Sequence, residues 1–483
     1  MNRRLRVLRS SIAISLVLAR PGGQSCAQDP PSIVRGPYLQ ALLSSSVKVL
    51  WVTDGPSRGR IEYRTGEGAP RLEAEDSAST AHVLTLGALS PGTVYRYRIL
   101  EGERQLSEEA KFRTAPPAGQ GEIRVVVAGD SGSGDEEQLA VAALMERLEP
   151  DIFLHTGDLD YLGDPDLSIF RPYRSLLTQV GFYPTRGNHD SDFDWRTFFV
   201  PPMENPELTG TYYSFDWGSA HFVSLDTNIP FDGGEQPAWL ASDLQMARAS
   251  GIPWIILYFH RPVYTVGAYA GDTVTRRSVM PIADLYGVDL VLNGHDHNYQ
   301  RSHPVRGEVV RGAWQDPTFI SPGGTICLVT GGGGMFLYAE QRGADHRFTR
   351  LFRLSFHALE LVITPERLTT RALSPENEVI DEFTIRKGPR PGPRFIRGDV
   401  DLSGALEITD AVLILHHLFL GLSLECPMVA SLDGSGLPLT IAEPIQLLGY
   451  LFLGGPQPAA PFPDCGEIQD ADDAWCLRTG CPR

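Results

Sequence analysis

The sequence predicts a multi-domain chain: an N-terminal all-β sandwich, a central α/β domain and a small C-terminal helical unit. Three observations predict it. Residues 32–117 alternate apolar and polar positions between turn signals. From residue 122 onward, short apolar runs end in polar residues and are interleaved with helical stretches. Near the C terminus one loop-helix pattern occurs twice, with Ala411–Gly421 recurring 33 residues later as Pro444–Gly454. A chain of 483 residues with 42% hydrophobic content has enough apolar side chains for several cores.

Arg3, Arg4, Arg6 and Arg9 precede the apolar stretch Ile12 to Ala19, and Ser25-Cys26-Ala27 follows. This reads as a secretory signal peptide over residues 1–27, cleaved after Ala27 and too short to remain as a transmembrane anchor. Lipidation at Cys26 is the alternative, and Gln24 and Ser25 disfavour it. The mature protein is therefore expected to be secreted, either periplasmic or extracellular. Cys327, Cys426, Cys465, Cys476 and Cys481 then remain, an odd number in an oxidising compartment. Cys327 lies in the apolar run Thr325–Thr330 and reads as a buried small hydrophobe. The four C-terminal cysteines are close enough in sequence to form two bridges, of undefined pairing. A formal net charge of -17 argues against nucleic acid as a partner, because neutralising a phosphate backbone needs a basic face.

In the first unit, Val47–Thr53 is strand-like and Val94–Ile99 alternates after the turn Ser90-Pro91-Gly92. The runs LSPGTVYRYRI and KFRTAP resemble fibronectin type III modules and the N-terminal domain of the larger purple acid phosphatases. In the central unit, residues 122–387, the buried strands are Ile123–Ala128, Ile152–Leu154, Ile252–Phe259 and Val288–Leu292. Helices are expected at Glu136–Leu148 and Pro237–Ala249. Strands that end in polar residues on one rim place a ligand site there. Residues 388–395, rich in Pro and Gly, form a linker to the repeat unit 396–456, and a Cys-containing tail follows over 457–483.

Five polar clusters occur in order: GDSG (Gly129–Gly132), GDLDY (Gly157–Tyr161), GNHD (Gly187–Asp190), His260, and GHDH (Gly294–His297). Singly, a Gly-Asp is usually a turn and a histidine usually structural. Together, the ligand-type side chains, the glycines that permit close backbone approach, and the strand-end positions coincide. The order is similar to that of the metallophosphoesterase superfamily, and purple acid phosphatases match best. Gly132 stands where much of the superfamily has the histidine of Asp-x-His, and Tyr161 follows Asp158 by three residues, as in the purple enzymes. The resemblance covers about Ser32 to Lys387 and continues through Asn298–Arg301 and Gly331–Gly334.

That resemblance implies a four-layer α/β/β/α sandwich for the central domain. It implies one metal held by Asp130, Asp158, Tyr161 and His297, a second by Asp158, Asn188, His260 and His295, and Asp158 as the bridge. The donor chemistry agrees, since phenolate and carboxylates suit Fe(III) whereas imidazoles and an amide oxygen suit a divalent ion, Zn, Fe or Mn. Three anionic donors leave such a pair net positive, so phosphate is attracted locally despite the acidic chain. The implied activity is hydrolysis of small phosphate monoesters by a metal-activated hydroxide, with His189 hydrogen-bonding the phosphate and protonating the leaving oxygen. The bland reading of His189 is an orienter of Asn188. One position departs from the family: Tyr269 replaces a second substrate-side histidine nine residues after His260, a change that predicts a higher pH optimum. His155 and His303 are read as structural.

In the repeat unit, Asp399, Asp401, Ser403 and Gly404, with Asp410 at the twelfth loop position, resemble a dockerin type I calcium loop. The second copy, with Asp433, Ser435, Gly436 and Ala442 or Glu443, is a poorer match. The resemblance implies a cohesin-like protein partner; the alternative is a calcium-stapled stability module. Two other functions stay open: a phosphodiesterase on the same scaffold, and a non-catalytic extracellular binding or adhesion protein.

Overall fold

The computed structural model describes residues 31–190, 195–202, 210–311, 317–388, 394–422, 424, 426–434 and 439–467. The expected signal peptide, Cys476, Cys481, Ser435, Gly436 and linker residues 389–393 lie outside the described residues. Among the described residues no helix is long and apolar enough to cross a membrane.

The first unit is β-rich. Ile33–Gln40, Val47–Ser57 and Ser79–Leu86 pair antiparallel, while Arg60–Thr65, Arg71–Ala74, Val94–Glu101, Arg104–Gln105 and Ala110–Arg113 form a five-stranded sheet. Val49 and Trp51 of the first set share a buried cluster with Ile61, Tyr63, Tyr97, Ile99 and Phe112 of the second. The period-two alternation seen in sequence supplies that inner face. The first sheet does not stop at this unit. Ile33–Gln40 pairs in parallel with Gly181–Pro184, at Leu39 and Gly181, so it continues as one ten-stranded sheet through Ile152–His155, Ile123–Ala128 and Ala358–Ile363. The Tyr97 hydroxyl donates to the Thr178 carbonyl at 2.9 Å and the Trp217 indole to the Leu42 carbonyl at 3.0 Å, so the two units also meet through side chains.

A second sheet of seven strands runs Tyr213–Trp217, Ala220–Ser224, Trp254–Tyr258, Leu290–Asn293, Ile326–Thr330, Tyr299–Ser302, Thr349–Arg353. The buried runs divide their residues between two cores. Ile123, Val125, Val127, Ile152, Leu154, Trp254, Ile256, Tyr258, Leu290 and Leu292 fill the space between the sheets. Val126, Ala128 and Phe153 face the helix Glu136–Arg147, while Ile255, Leu257 and Val291 face Glu235–Ala249 and Thr273–Tyr286. Strands apolar on both faces are therefore needed, and the layers are helix, sheet, sheet, helix. Burying these faces at roughly 25 cal/mol per Å² of apolar surface is the main force holding the layers together.

In the C-terminal unit, helices Ile408–Leu420 and Ala442–Leu453 pack through Ala411, Ile414 and Leu447. Cys426 and Cys465 are each disulfide-bonded, and Phe395 pairs with Gly466, tying the start of the unit to its end. Cys327 is buried and free.

Candidate metal centre

Strands of both sheets deliver the motifs from their C-terminal ends. Ile123–Ala128 leads to Asp130, Ile152–His155 to Asp158 and Tyr161, and Gly181–Pro184 to Asn188 and His189. From the other sheet, Trp254–Tyr258 leads to His260 and Leu290–Asn293 to His295 and His297. The strands are parallel within each set, so their polar exits fall on a common rim.

The seven residues singled out in sequence as metal ligands come together. The Tyr161 hydroxyl lies 2.9 Å from Asp158 Oδ2, 3.3 Å from Asp130 Oδ1 and 3.1 Å from His297 Nε2. Beside them, His260 Nε2 lies 3.0 Å from Asn188 Oδ1, 3.2 Å from His295 Nδ1 and 3.3 Å from Asp158 Oδ2. One oxygen, Asp158 Oδ2, thus belongs to both groups. The remaining ring nitrogens are engaged elsewhere: with Nδ1 protonated, His260 donates to the Thr156 carbonyl at 3.0 Å and His297 to the Phe336 carbonyl at 2.8 Å. Each Nε2 lone pair is then left facing the cluster.

Local backbone geometry supports this convergence. Asp130, Asp158 and His295 adopt φ of 55°, 54° and 70°, left-handed values that are uncommon for non-glycine residues. Two motif glycines are required by space. A Cβ on Gly187 would lie 2.0 Å from Asp158 Oδ1, and one on Gly294 would lie 2.4 Å from Asp130 Oδ2.

Electrostatics test whether the donors fit cations. Burial opposes charge on His260, yet the adjoining Asp158 carboxylate raises its pKa to about 9. Burial, and then the charge of His260, lower His295 to about 3. Burial, and then the Asp130 and Asp158 charges, push the Tyr161 hydroxyl well above its ordinary value. The upward shifts of Tyr161 and His260 both report negative charge concentrated on Asp130 and Asp158, which cations among these donors would neutralise. The hard oxygen donors on one side and the two imidazoles with an amide on the other fit metal ions.

His189 is exposed, its backbone N–H donating to Asp158 Oδ1 at 2.8 Å and its ring 4.4 Å from that of Tyr161. Tyr269 lies over His295, ring centroids 4.3 Å apart and 29° from parallel. His155 instead contacts Ser131 Oγ through Nε2 at 2.7 Å and is lowered by burial to about 3; the His303 N–H donates to the Phe348 carbonyl. Neither reaches the donor cluster through these contacts. In the C-terminal unit the carboxylates of Asp399, Asp401 and Asp410 converge to within 4.8 Å, and the Ser403 N–H donates to Asp399 and Asp401.

Three residues of this region carried no role in the sequence reading. Asp190 is buried; its Oδ2 accepts the N–H of Asp158 and Gly187, and its Oδ1 those of Leu159 and Asp160. Asp296, between the two histidines, is also buried and accepts the Tyr269 N–H at 3.1 Å. Tyr338 stacks on His297, centroids 4.1 Å apart, and meets Tyr269 edge-on at 5.6 Å. The two aspartates stood inside quoted motifs, Asp296 between two ligand histidines and Asp190 two residues after Asn188, and those positions were the signal; nothing in sequence placed Tyr338 against His297.

Fold and donor set are similar to those of metallophosphoesterases. Residues 123–299 match the calcineurin-like phosphoesterase family model. Human acid phosphatase type 7 is 28% identical over 335 residues, covering 60% of this chain and 75% of that protein. Purple acid phosphatase 15 of Arabidopsis thaliana is 26% identical over 294 residues, covering 52% of this chain and 53% of that protein. Among solved structures, a purple acid phosphatase from yellow lupin (Lupinus luteus) seeds superposes with a TM-score of 0.63 at 21% identity, covering 74% of each chain. Residues 123–299 form a calcineurin-like phosphoesterase domain, and these relatives support a phosphatase enzyme.

Proposed function

We propose that the protein hydrolyses phosphate monoesters at a binuclear centre. One metal, Fe(III), is held by Asp130, Asp158, Tyr161 and His297; a divalent ion, Zn, Fe or Mn, is held by Asp158, Asn188, His260 and His295. The observation that carries this reading is the position of Asp158 Oδ2, 2.9 Å from the Tyr161 hydroxyl and 3.3 Å from His260 Nε2, where one carboxylate serves both donor groups. When bound, the metals supply Lewis acidity to the ester and a water activated for attack on phosphorus.

The chain's own residues do the rest. Asp190 and the paired carbonyls hold the ligands in place. The exposed ring of His189, against Tyr161, hydrogen-bonds the phosphate and passes a proton to the leaving oxygen. Tyr269 contacts the ester from the His295 side. The protein is exported by its first 27 residues and works outside the cytoplasm, with the β unit at 32–117, the catalytic unit at 122–387 and the repeat unit at 396–456. In the repeat unit, Asp399, Asp401, Ser403 and Asp410 bind calcium and order a surface for a cohesin-like partner. The convergence of the three carboxylates supports the calcium site.

The test is p-nitrophenyl phosphate hydrolysis by protein reconstituted with iron and zinc, beside His295→Ala. Metal-dependent turnover lost in the variant is expected. Turnover of bis(p-nitrophenyl) phosphate in preference would move the assignment to a diesterase, and none on either ester would favour a binding protein.

A further inference from the structure

The GHDH motif holds two histidines that face the donor cluster, while the aspartate between them faces away from it. Asp296 is fully buried. Its Oδ1 accepts the Tyr269 N–H at 3.1 Å, and its carboxylate also accepts the Ala268 N–H and the Thr265 hydroxyl. Gly267 packs so closely over it that an added Cβ would lie 2.4 Å from the Asp296 carboxyl carbon. The loop is pinned at a second point by Gln300, whose Oε1 accepts the Val266 N–H at 2.9 Å and whose Nε2 donates to Thr265 Oγ1 at 2.8 Å. Residues 265–269 are therefore wrapped around one buried carboxylate. The product of that wrapping is a single placement: Tyr269 flat on His295 and edge-on to Tyr338, which is itself stacked on His297.

A buried carboxylate left without its donors is strongly destabilising, so the carboxylate and the loop dictate each other's position. Because Asp296 is covalently between His295 and His297, the loop is referenced to the ligand-bearing backbone and not to the surface. We propose that Asp296 is a positioning residue for substrate binding: it sets Tyr269 over His295, and thereby shapes the ester-binding side of the centre. It touches neither substrate nor metal and acts through Tyr269. The inference rests on the proposed phosphomonoesterase reading.

The test is a double-mutant cycle on the reconstituted enzyme, with Asp296→Ala, Tyr269→Ala and both together, plus Asp296→Asn. Asp296→Ala and Tyr269→Ala are each expected to raise KM for phenyl phosphate about tenfold, with kcat changed less than about threefold, a pattern of lost ground-state binding. The double variant should match the singles, because the proposal routes the effect of Asp296 on substrate through Tyr269. Asp296→Asn keeps an oxygen for the Tyr269 and Ala268 N–H groups and should recover most of the wild-type KM. Unchanged KM, additive effects in the double variant, or loss of bound metal in Asp296→Asn would overturn the proposal. A crystal structure of Asp296→Asn beside Asp296→Ala decides it independently of turnover: Tyr269 should remain on His295 in the first and leave it in the second. An unmoved Tyr269 in Asp296→Ala overturns the inference, whereas a wild-type enzyme without turnover overturns only the assigned reaction.

Discussion

The Asp190 carboxylate accepts the Asp158 backbone N–H at 2.9 Å while taking the Gly187 N–H at 2.7 Å with the same oxygen. One buried side chain thus aligns the residue shared by both donor groups with the loop that carries Asn188. Burial, and then the charge of Asp158, raise its pKa to about 7 against the pull of the Gly187 and Leu159 N–H groups. Replacing Asp190 by Ala is expected to weaken metal retention by about 10- to 100-fold, the usual cost of losing a partner that orients a ligand. Competition with a chelator, read as metal content, measures it; unchanged retention would assign Asp190 to folding alone.

Gly187→Ala tests the same contact from the other side. The added methyl would sit 2.0 Å from Asp158 Oδ1 and 2.1 Å from its backbone nitrogen, both immovable in a packed rim. At least a 100-fold fall in turnover is expected, with near-normal far-ultraviolet circular dichroism, corresponding to roughly 3 kcal/mol at the transition state.

Tyr269 stands where the resemblance to purple acid phosphatases implies a second substrate-side histidine. A free imidazole changes charge near pH ~6.5, whereas a free phenol keeps its proton to roughly pH 10. The rate profile should therefore peak at higher pH than in enzymes that retain both histidines, and Tyr269→His should shift the peak downward. A wild-type optimum at or below about pH 5 would remove the argument.

Away from the rim, His221 is clamped between Asp216 Oδ1 at 2.7 Å and Asp243 Oδ2 at 2.8 Å. Burial alone would lower its pKa, but the two carboxylates outweigh it and raise the value to about 9. A folded-state pKa above the unfolded value of about 6.5 means this pair of contacts contributes fully below pH ~6.5 and is lost as pH rises through about 9. Thermal midpoints should fall by a few degrees between pH 7 and pH 10, and His221→Gln should flatten that part of the curve.

Calcium should raise the thermal midpoint of the C-terminal unit within the full chain, since mutual repulsion of Asp399, Asp401 and Asp410 is relieved on binding. Burial, and then the charge of Asp410, already lift Asp399 to about 6. Asp401→Ala, a change at an exposed ligand, should abolish the calcium effect while leaving the midpoint without calcium near that of wild type. No calcium effect in the wild-type chain would reject the site.

Much of this was legible from local patterns. The run Ile123–Ala128 is apolar at every position but Arg124 because both its faces are covered, and it ends where the sequence turns to Gly-Asp, so strand and site residue were readable together. The helix expected at Glu136–Leu148 forms over Glu136–Arg147, where the Asp135 side chain caps it and Glu136 and Glu137 lie in its first turn. Less was readable where pairing partners are distant. Nothing in Ile33–Gln40 tells that it will hydrogen-bond to Gly181, some 140 residues on, because the backbone groups that pair carry no sequence label.

The amino-acid sequence by itself determined which chemistry is available: hard oxygen donors, imidazoles and flanking glycines in an order and at strand ends that suit a metal site. Those are properties of residue type and spacing. Only the tertiary structure decided which atoms share the work. It brought Asp158 Oδ2 between the two donor groups, aimed Asp190 at the Asp158 N–H, and wrapped residues 265–269 around Asp296 so that Tyr269 covers His295. The physical reason is that a hydrogen bond or a stack depends on ångström-scale placement of groups far apart in the chain, which two packed sheets impose and a linear pattern cannot encode.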